Sequence, residues 1–146
     1  MTQEERARRD AVLAAAEGWL ATPYHHQGRV RGAGVDCATL LIEVYRAAEI
    51  VPHIDPRPYP PDWHLHRSAE RYLGWVLRYA REVAAPGPAD VALFRFGRCF
   101  SHGAIVEDWP RLIHAYIGQG CVRADATKAP LVGRPVRFFS PWPETL

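Results

Sequence analysis

Apolar residues recur at helical spacing in the first half of the chain and at every second position in the second half. In residues 3–20, Val12, Leu13, Ala16, Trp19 and Leu20 share one stripe behind a charged start, which predicts an amphipathic helix. It ends near Thr22-Pro23, because a residue before proline avoids the α region. His25 to Val35 carries Gly28, Gly32 and Gly34 among arginines and reads as a loop. From Asp36 to Glu49 the later charges are Glu43, Arg46 and Glu49, three apart on one stripe. That pattern predicts a nearly buried helix with Asp36 as its N-cap. Val51 to Pro61 holds prolines 52, 56, 58, 60 and 61 and reads as an extended loop within one domain. Asp62 to Val83 places Leu65, Ala69, Tyr72, Leu73, Val76 and Ala80 on one face, predicting another amphipathic helix that Ala85-Pro86-Gly87-Pro88 stops. Asp90–Phe96, Ser101–Glu107, Arg111–Ile117, Cys121–Ala124 and Arg134–Phe139 then read as short strands. Helices first and strands second predict an α+β domain, with N-terminal helices packed on a C-terminal antiparallel sheet of about five strands.

Composition narrows the class. A length of 146 residues fits one domain spanning 1–146, and 48% hydrophobic residues suffice for a core. The net charge is +2, and the basic residues are scattered from Arg6 to Arg137 among 16 acids, Lys128 being the lone lysine. Nucleic-acid binding calls for a clustered basic face, so none is expected. No apolar run reaches the roughly 18 residues of a membrane span, so no membrane insertion is expected. The start, MTQEERARRD, lacks the apolar stretch of a secretory leader, which predicts synthesis in the cytoplasm without a signal peptide. Cys37, Cys99 and Cys121 make an odd count with no zinc-type spacing. No metal, no cofactor and no disulfide framework are expected, and at least one thiol is free.

Cys37 is the informative cysteine. It opens the buried helix directly after a glycine loop, where unpaired N–H groups and the helix dipole favour a thiolate. It is either a nucleophile or an inert helix-start cysteine; Cys99 and Cys121 read as small buried residues. A nucleophilic thiolate needs a base. His25, His26, His53, His64 and His66 read as exposed or locally bonded, the last two being too close in sequence for a metal pair on a helix. His102 and His114 both fall in strands. A hairpin turning at Asp108-Trp109-Pro110 would pair Glu107 with Arg111, Ala104 with His114 and His102 with Tyr116. Both imidazoles then share one face, expected to look toward the start of the Cys37 helix, as a base and its orienting partner.

The order of these pieces resembles the NlpC/P60 superfamily of cell-wall cysteine peptidases. The matching stretches are Thr22-Pro23-Tyr24, Asp36-Cys37, Pro88-Ala89-Asp90-Val91-Ala92-Leu93-Phe94, Ser101-His102-Gly103-Ala104-Ile105-Val106 and Ile113-His114-Ala115. The resemblance implies a reduced papain-like fold and hydrolysis of an amide in peptidoglycan stem peptides, by family habit the bond from γ-D-glutamate to the diamino acid. It implies Cys37 as nucleophile, His102 as its imidazolium partner and proton donor, and His114 as the group orienting His102. It also sets the Tyr24 hydroxyl beside the nucleophile and the Asp36 carboxylate on the substrate's free amine; the plain alternatives are a core tyrosine and a helix cap. Where the family reads Asp-Cys-Ser-Gly-Leu, this chain reads Asp36-Cys37-Ala38-Thr39-Leu40, without the serine hydroxyl and with a β-branched residue in place of glycine.

The proline loop leading into a tryptophan-bearing helix most resembles versions in phage tails and gene transfer agents. There the resemblance implies a virion-like particle component with tail-tip or baseplate hub proteins as partners, acting in the wall or periplasm of the target cell. Two other readings stand beside this one: a catalytically silent tail-tip component of the same fold, and a related thiol amidase or acyltransferase.

Overall fold

The computed structural model describes residues 1–57 and 71–143. Helix α1 spans Gln3–Glu17, and Thr2 caps it by accepting from the Glu5 N–H at 3.0 Å. A two-stranded ribbon, β1 (Arg29–Val30) and β2 (Gly34–Val35), lies inside the glycine loop. Helix α2 is Cys37–Ala47 and helix α3 is Arg71–Tyr79. The strands β3 (Arg81–Val83), β4 (Val91–Phe96), β5 (Cys99–Asp108), β6 (Arg111–Tyr116), β7 (Gly120–Asp125) and β8 (Val136–Ser140) make one antiparallel sheet, ordered β3-β8-β4-β5-β6-β7. The α+β class and the helices-then-sheet order are as the sequence predicts.

Two elements differ from expectation. The part of the Asp62–Val83 helix within the described residues ends at Tyr79, and Arg81, Glu82 and Val83 form an edge strand opposite Ser140, Phe139 and Phe138. Val83 suits a helical and a strand period equally, and a bidentate ion pair from Arg137 to Glu82 at 2.7–2.8 Å helps fix the strand. The sheet therefore has six strands rather than about five. In the β5–β6 hairpin, Ile105 faces Ile113 and Val106 faces Leu112 in the expected register. At the turn, however, Asp108 rather than Glu107 pairs with Arg111, and Glu107 forms a bulge.

The sheet is covered on both faces. Val91, Leu93, Ile105, Ile113, Ala115 and Phe139 meet Val12 and Ala16 of α1 and Leu40, Leu41 and Val44 of α2. The opposite face buries Ala92, Phe94, Ala104, Val106 and Leu112 under Leu131, with Trp109, Val136 and Phe138 at the margin. Burying β4 and β5 on both sides explains their unbroken apolar runs. α1 is tied to the sheet by Arg9, whose guanidinium reaches Asp90 at 2.9 Å, the Pro88 carbonyl at 2.7 Å and Glu5 at 3.1 Å, and stacks over Trp142. Arg9→Met keeps the length and strands the Asp90 carboxylate in the interior. We expect a loss of about 3–5 kcal/mol, the range for breaking one side of a buried pair, read as a lowered urea midpoint.

Candidate active site

The start of α2 is set by its cap. Asp36 is extended, and its Oδ1 accepts from the N–H groups of Ala38 and Thr39, both at 3.0 Å. Thr39 Oγ1 accepts in turn from the Asp36 N–H at 3.0 Å, closing a capping box. Thr39 thus has a local task in the cap. Asp36 Oδ2 accepts from the Gln27 N–H at 2.7 Å, so the carboxylate also ties the glycine loop to the helix. Pro23 and His25 pair with Val35 and lead Tyr24 past this point. The Tyr24 hydroxyl is held above its usual range, by burial first and then by the Cys37 and Asp36 charges. Tyr24, Asp36 and Cys37 are therefore neighbours.

Cys37 is 8% exposed. Its Sγ–H donates to the Ser101 carbonyl at 3.7 Å, and its own carbonyl accepts from the Tyr72 hydroxyl at 2.7 Å. A depressed thiol pKa is not what this environment gives. Burial, then the Asp36 carboxylate, push the thiol far up, against weaker opposing help from the Gly103 and Cys37 N–H groups and the Tyr72 hydroxyl. The reason lies in the cap: Asp36 takes up the N–H groups of the first turn and brings a negative charge to the place where a thiolate would form.

His102 and His114 meet on one face. His102 Nε2 and His114 Nδ1 are 2.8 Å apart, with the rings edge-on at 5.0 Å between centroids. His102 is buried against Phe94, Phe96 and Tyr116, and His114 stacks on Tyr116, wholly enclosed and with its Nε2 without a partner among the described residues. Burial lowers the His114 pKa to about 4. Burial lowers His102 well below its usual range too, followed by the charges of His114 and Arg134. Both rings are neutral near pH 7.

That shared face is not the one expected. His102 pairs with Phe94 and follows Ala104 and Val106, so its ring lies on the side away from α2, whereas Gly103, opposite Leu93, faces α2. The expectation that both imidazoles look toward the Cys37 helix is corrected accordingly. In β5 either alternate set of residues can be buried, so apolar alternation does not say which set meets the helices. Cys37 instead lies against the β5 main chain at Ser101 and Gly103. The structure thus brings together Cys37, Tyr24 and Asp36, and separately His102 and His114. His25 and His53 are exposed, His26 Nδ1 lies 3.8 Å from Asp36 Oδ2, and His64 and His66 fall outside the described residues.

Tyr72 is the residue at this site that sequence reasoning did not single out. It looked like one member of an apolar stripe, and its polar end gave the only hint of another task. Among the described residues, no cluster of three or more His, Cys, Asp or Glu side chains forms a metal site, and no helix is long and apolar enough to cross a membrane.

The chain superposes on NlpC1 from Trichomonas vaginalis with a TM-score of 0.65 over 91% of its length, at 18% identity. The fold is the NlpC/P60 fold. The NlpC/p60 domain of the peptidoglycan hydrolase SagA gives a TM-score of 0.58 over 88% of this chain and 96% of that domain, at 18% identity. An NlpC/P60 family protein from Bacillus cereus gives 0.62 over 88% of this chain, at 16% identity. The chain spans 43% of the Trichomonas protein and 39% of the Bacillus protein. No protein-family model matches the sequence, and no curated protein sequence matches it either.

Proposed function

We propose that the protein is a cysteine peptidase that hydrolyses an amide in the peptide stems of bacterial peptidoglycan. The observation that carries this reading is Cys37 as the first residue of α2 on an NlpC/P60 fold, with Tyr24 and Asp36 beside it. Cys37 Sγ attacks the carbonyl carbon, and the Cys37 N–H helps hold the oxyanion. His102 takes the thiol proton and returns it to the leaving amine, while His114 orients His102. Water then releases the acyl group from the sulfur. The favoured bond joins γ-D-glutamate to the diamino acid.

This scheme requires the His102 ring to pass to the α2 side. β5 has a place for such a change. Its register with β4 shifts at Ser101, between Phe100 and His102, and its ladder with β6 stops at Ile105. A bulge moved by one residue toward Gly103 turns His102 over without disturbing Ile105 onward. The likeness of the proline-rich stretch to phage-tail and gene-transfer-agent versions supports a tail-tip role beside hub or baseplate proteins, with action in the target cell's wall.

A second reading, a catalytically silent particle component, is favoured by one observation: the imidazoles and the thiol lie on opposite faces of the sheet. Digestion of purified sacculi with mass spectrometry of the soluble fragments separates the two. The peptidase reading expects fragment pairs with a new γ-D-glutamyl carboxylate and a freed diamino-acid amine. No release between pH 5 and 8 would establish the silent reading.

A further inference from the structure

The Tyr72 side chain stands beside the Cys37 thiol. The Tyr72 hydroxyl donates to the Cys37 carbonyl at 2.7 Å and bears on the sulfur. It occupies the space above Gly103 where any larger residue would place its Cβ. A Cβ there would run into the Tyr72 hydroxyl and come within 2.8 Å of Cζ and 2.9 Å of Leu41 Cδ2. Gly103 is thus the seat of Tyr72. Tyr72 is also the one buried residue of α3, on which Leu77 is 51% exposed and Tyr79 36%. An apolar groove lined by Ala38, Leu41, Tyr45, Val76 and Val91 runs between α2 and α3 beside it. Leu73 and Val76 of α3 are only partly buried against the core, so Tyr72 is its deepest anchor, and such a helix opens at lower cost than the fold as a whole.

We propose that Tyr72 is the latch of a lid formed by α3, closed over Cys37 in this structure and opened by withdrawal of Tyr72 from its seat on Gly103. The inference rests on the reading of Cys37 as the reacting thiol. In the closed state the thiol is a neutral donor to Ser101; in the open state it meets water and substrate, while the N–H groups of Gly103 and Cys37 remain to hold a thiolate. Withdrawal of Tyr72 also clears the space beside Gly103 that a turned His102 ring needs. Access to Cys37 is then governed by α3 rather than by global unfolding.

Native-state alkylation with iodoacetamide at pH 8, resolved by peptide mapping, tests this with the two other cysteines as internal references. All three thiols are buried, Cys99 and Cys121 at 1% exposure. In the wild-type protein Cys37 is expected to react at least about tenfold faster than Cys99 and Cys121, because lid opening is cheaper than unfolding. Tyr72→Phe keeps the ring and removes the hydroxyl. It is expected to raise the Cys37 rate by about three- to tenfold, the worth of one hydrogen bond, with Cys99 and Cys121 unchanged. The proposal is overturned by one common rate for all three wild-type thiols. It is equally overturned by a Tyr72→Phe protein whose Cys37 rate is unchanged or rises only in step with the other two. Selective labelling without peptidoglycan fragments would sink the peptidase reading and leave the latch standing. Fragment release with labelling indifferent to Tyr72 would do the reverse.

Discussion

Cys37→Ala is expected to fold as the wild type and to lose stem-peptide hydrolysis by about 10⁴-fold or more, as removal of a nucleophile does in triad enzymes. The structural cost is small. The hydrogen bond from the sulfur to the Ser101 carbonyl is long, at 3.7 Å, and alanine suits a helix start whose cap is formed by Asp36 and Thr39. Melting temperature and fragment release, measured on the same sample, separate the two effects. Retained hydrolysis would remove Cys37 from the reaction. His102→Ala is expected to lower kcat by a comparable order with the protein still folded. At position 114, activity should fall from wild type to His114→Asn or His114→Gln, then to His114→Ala, since an amide still offers His102 a polar partner. Equal loss in all three variants would leave His114 with a packing role alone.

Acid should unfold this protein through its histidine pair. The folded His114 pKa is about 4 against an ordinary value of 6.5, because burial penalises the imidazolium. Between those values the unfolded chain binds a proton that the folded chain refuses. The sign follows: stability from this group is fully present above about pH 6.5 and is lost as pH falls toward 4. The gap corresponds to about 3 kcal/mol for His114, and His102, shifted in the same direction, adds to it. The carboxylates held down by ion pairs, Asp55 by Arg57 and Glu82 by Arg137, titrate lower still, so the window from pH 7 to 5 isolates the histidines. Urea midpoints should fall steadily across that window. A flat profile would mean that the pair is solvated in the folded protein.

How much of this was legible depended on whether a residue's alternatives looked different in sequence. The α2 start was legible because a capping carboxylate, a glycine loop and an apolar run coincide at Asp36. The meeting of His102 with His114 was legible because the register of Ile105 with Ile113 and Val106 with Leu112 is the one read from the alternation, a bulge at Glu107 absorbing the one-residue shift at the turn. Which face that was could not be read. β5 is buried on both sides, so neither set of its alternating residues is polar enough to mark the solvent, and the relation of His102 to Cys37 is set by packing of Ile105 and Ile113 against the helices. β3 was hidden by its three residues, two of them charged and exposed. The raised thiol pKa was hidden because the capping residue that locates Cys37 also supplies the opposing charge.

The central claim, that the Cys37 sulfur is the reacting atom, is tested most directly by following activity against alkylation of that one side chain. Aliquots taken during iodoacetamide treatment are assayed for stem-peptide hydrolysis and mapped for modification at Cys37, Cys99 and Cys121. Residual activity should fall in a straight line with the unmodified fraction of Cys37 and reach zero when that thiol is gone, with Cys99 and Cys121 still intact. Hydrolysis that persists after Cys37 is fully alkylated would contradict the account.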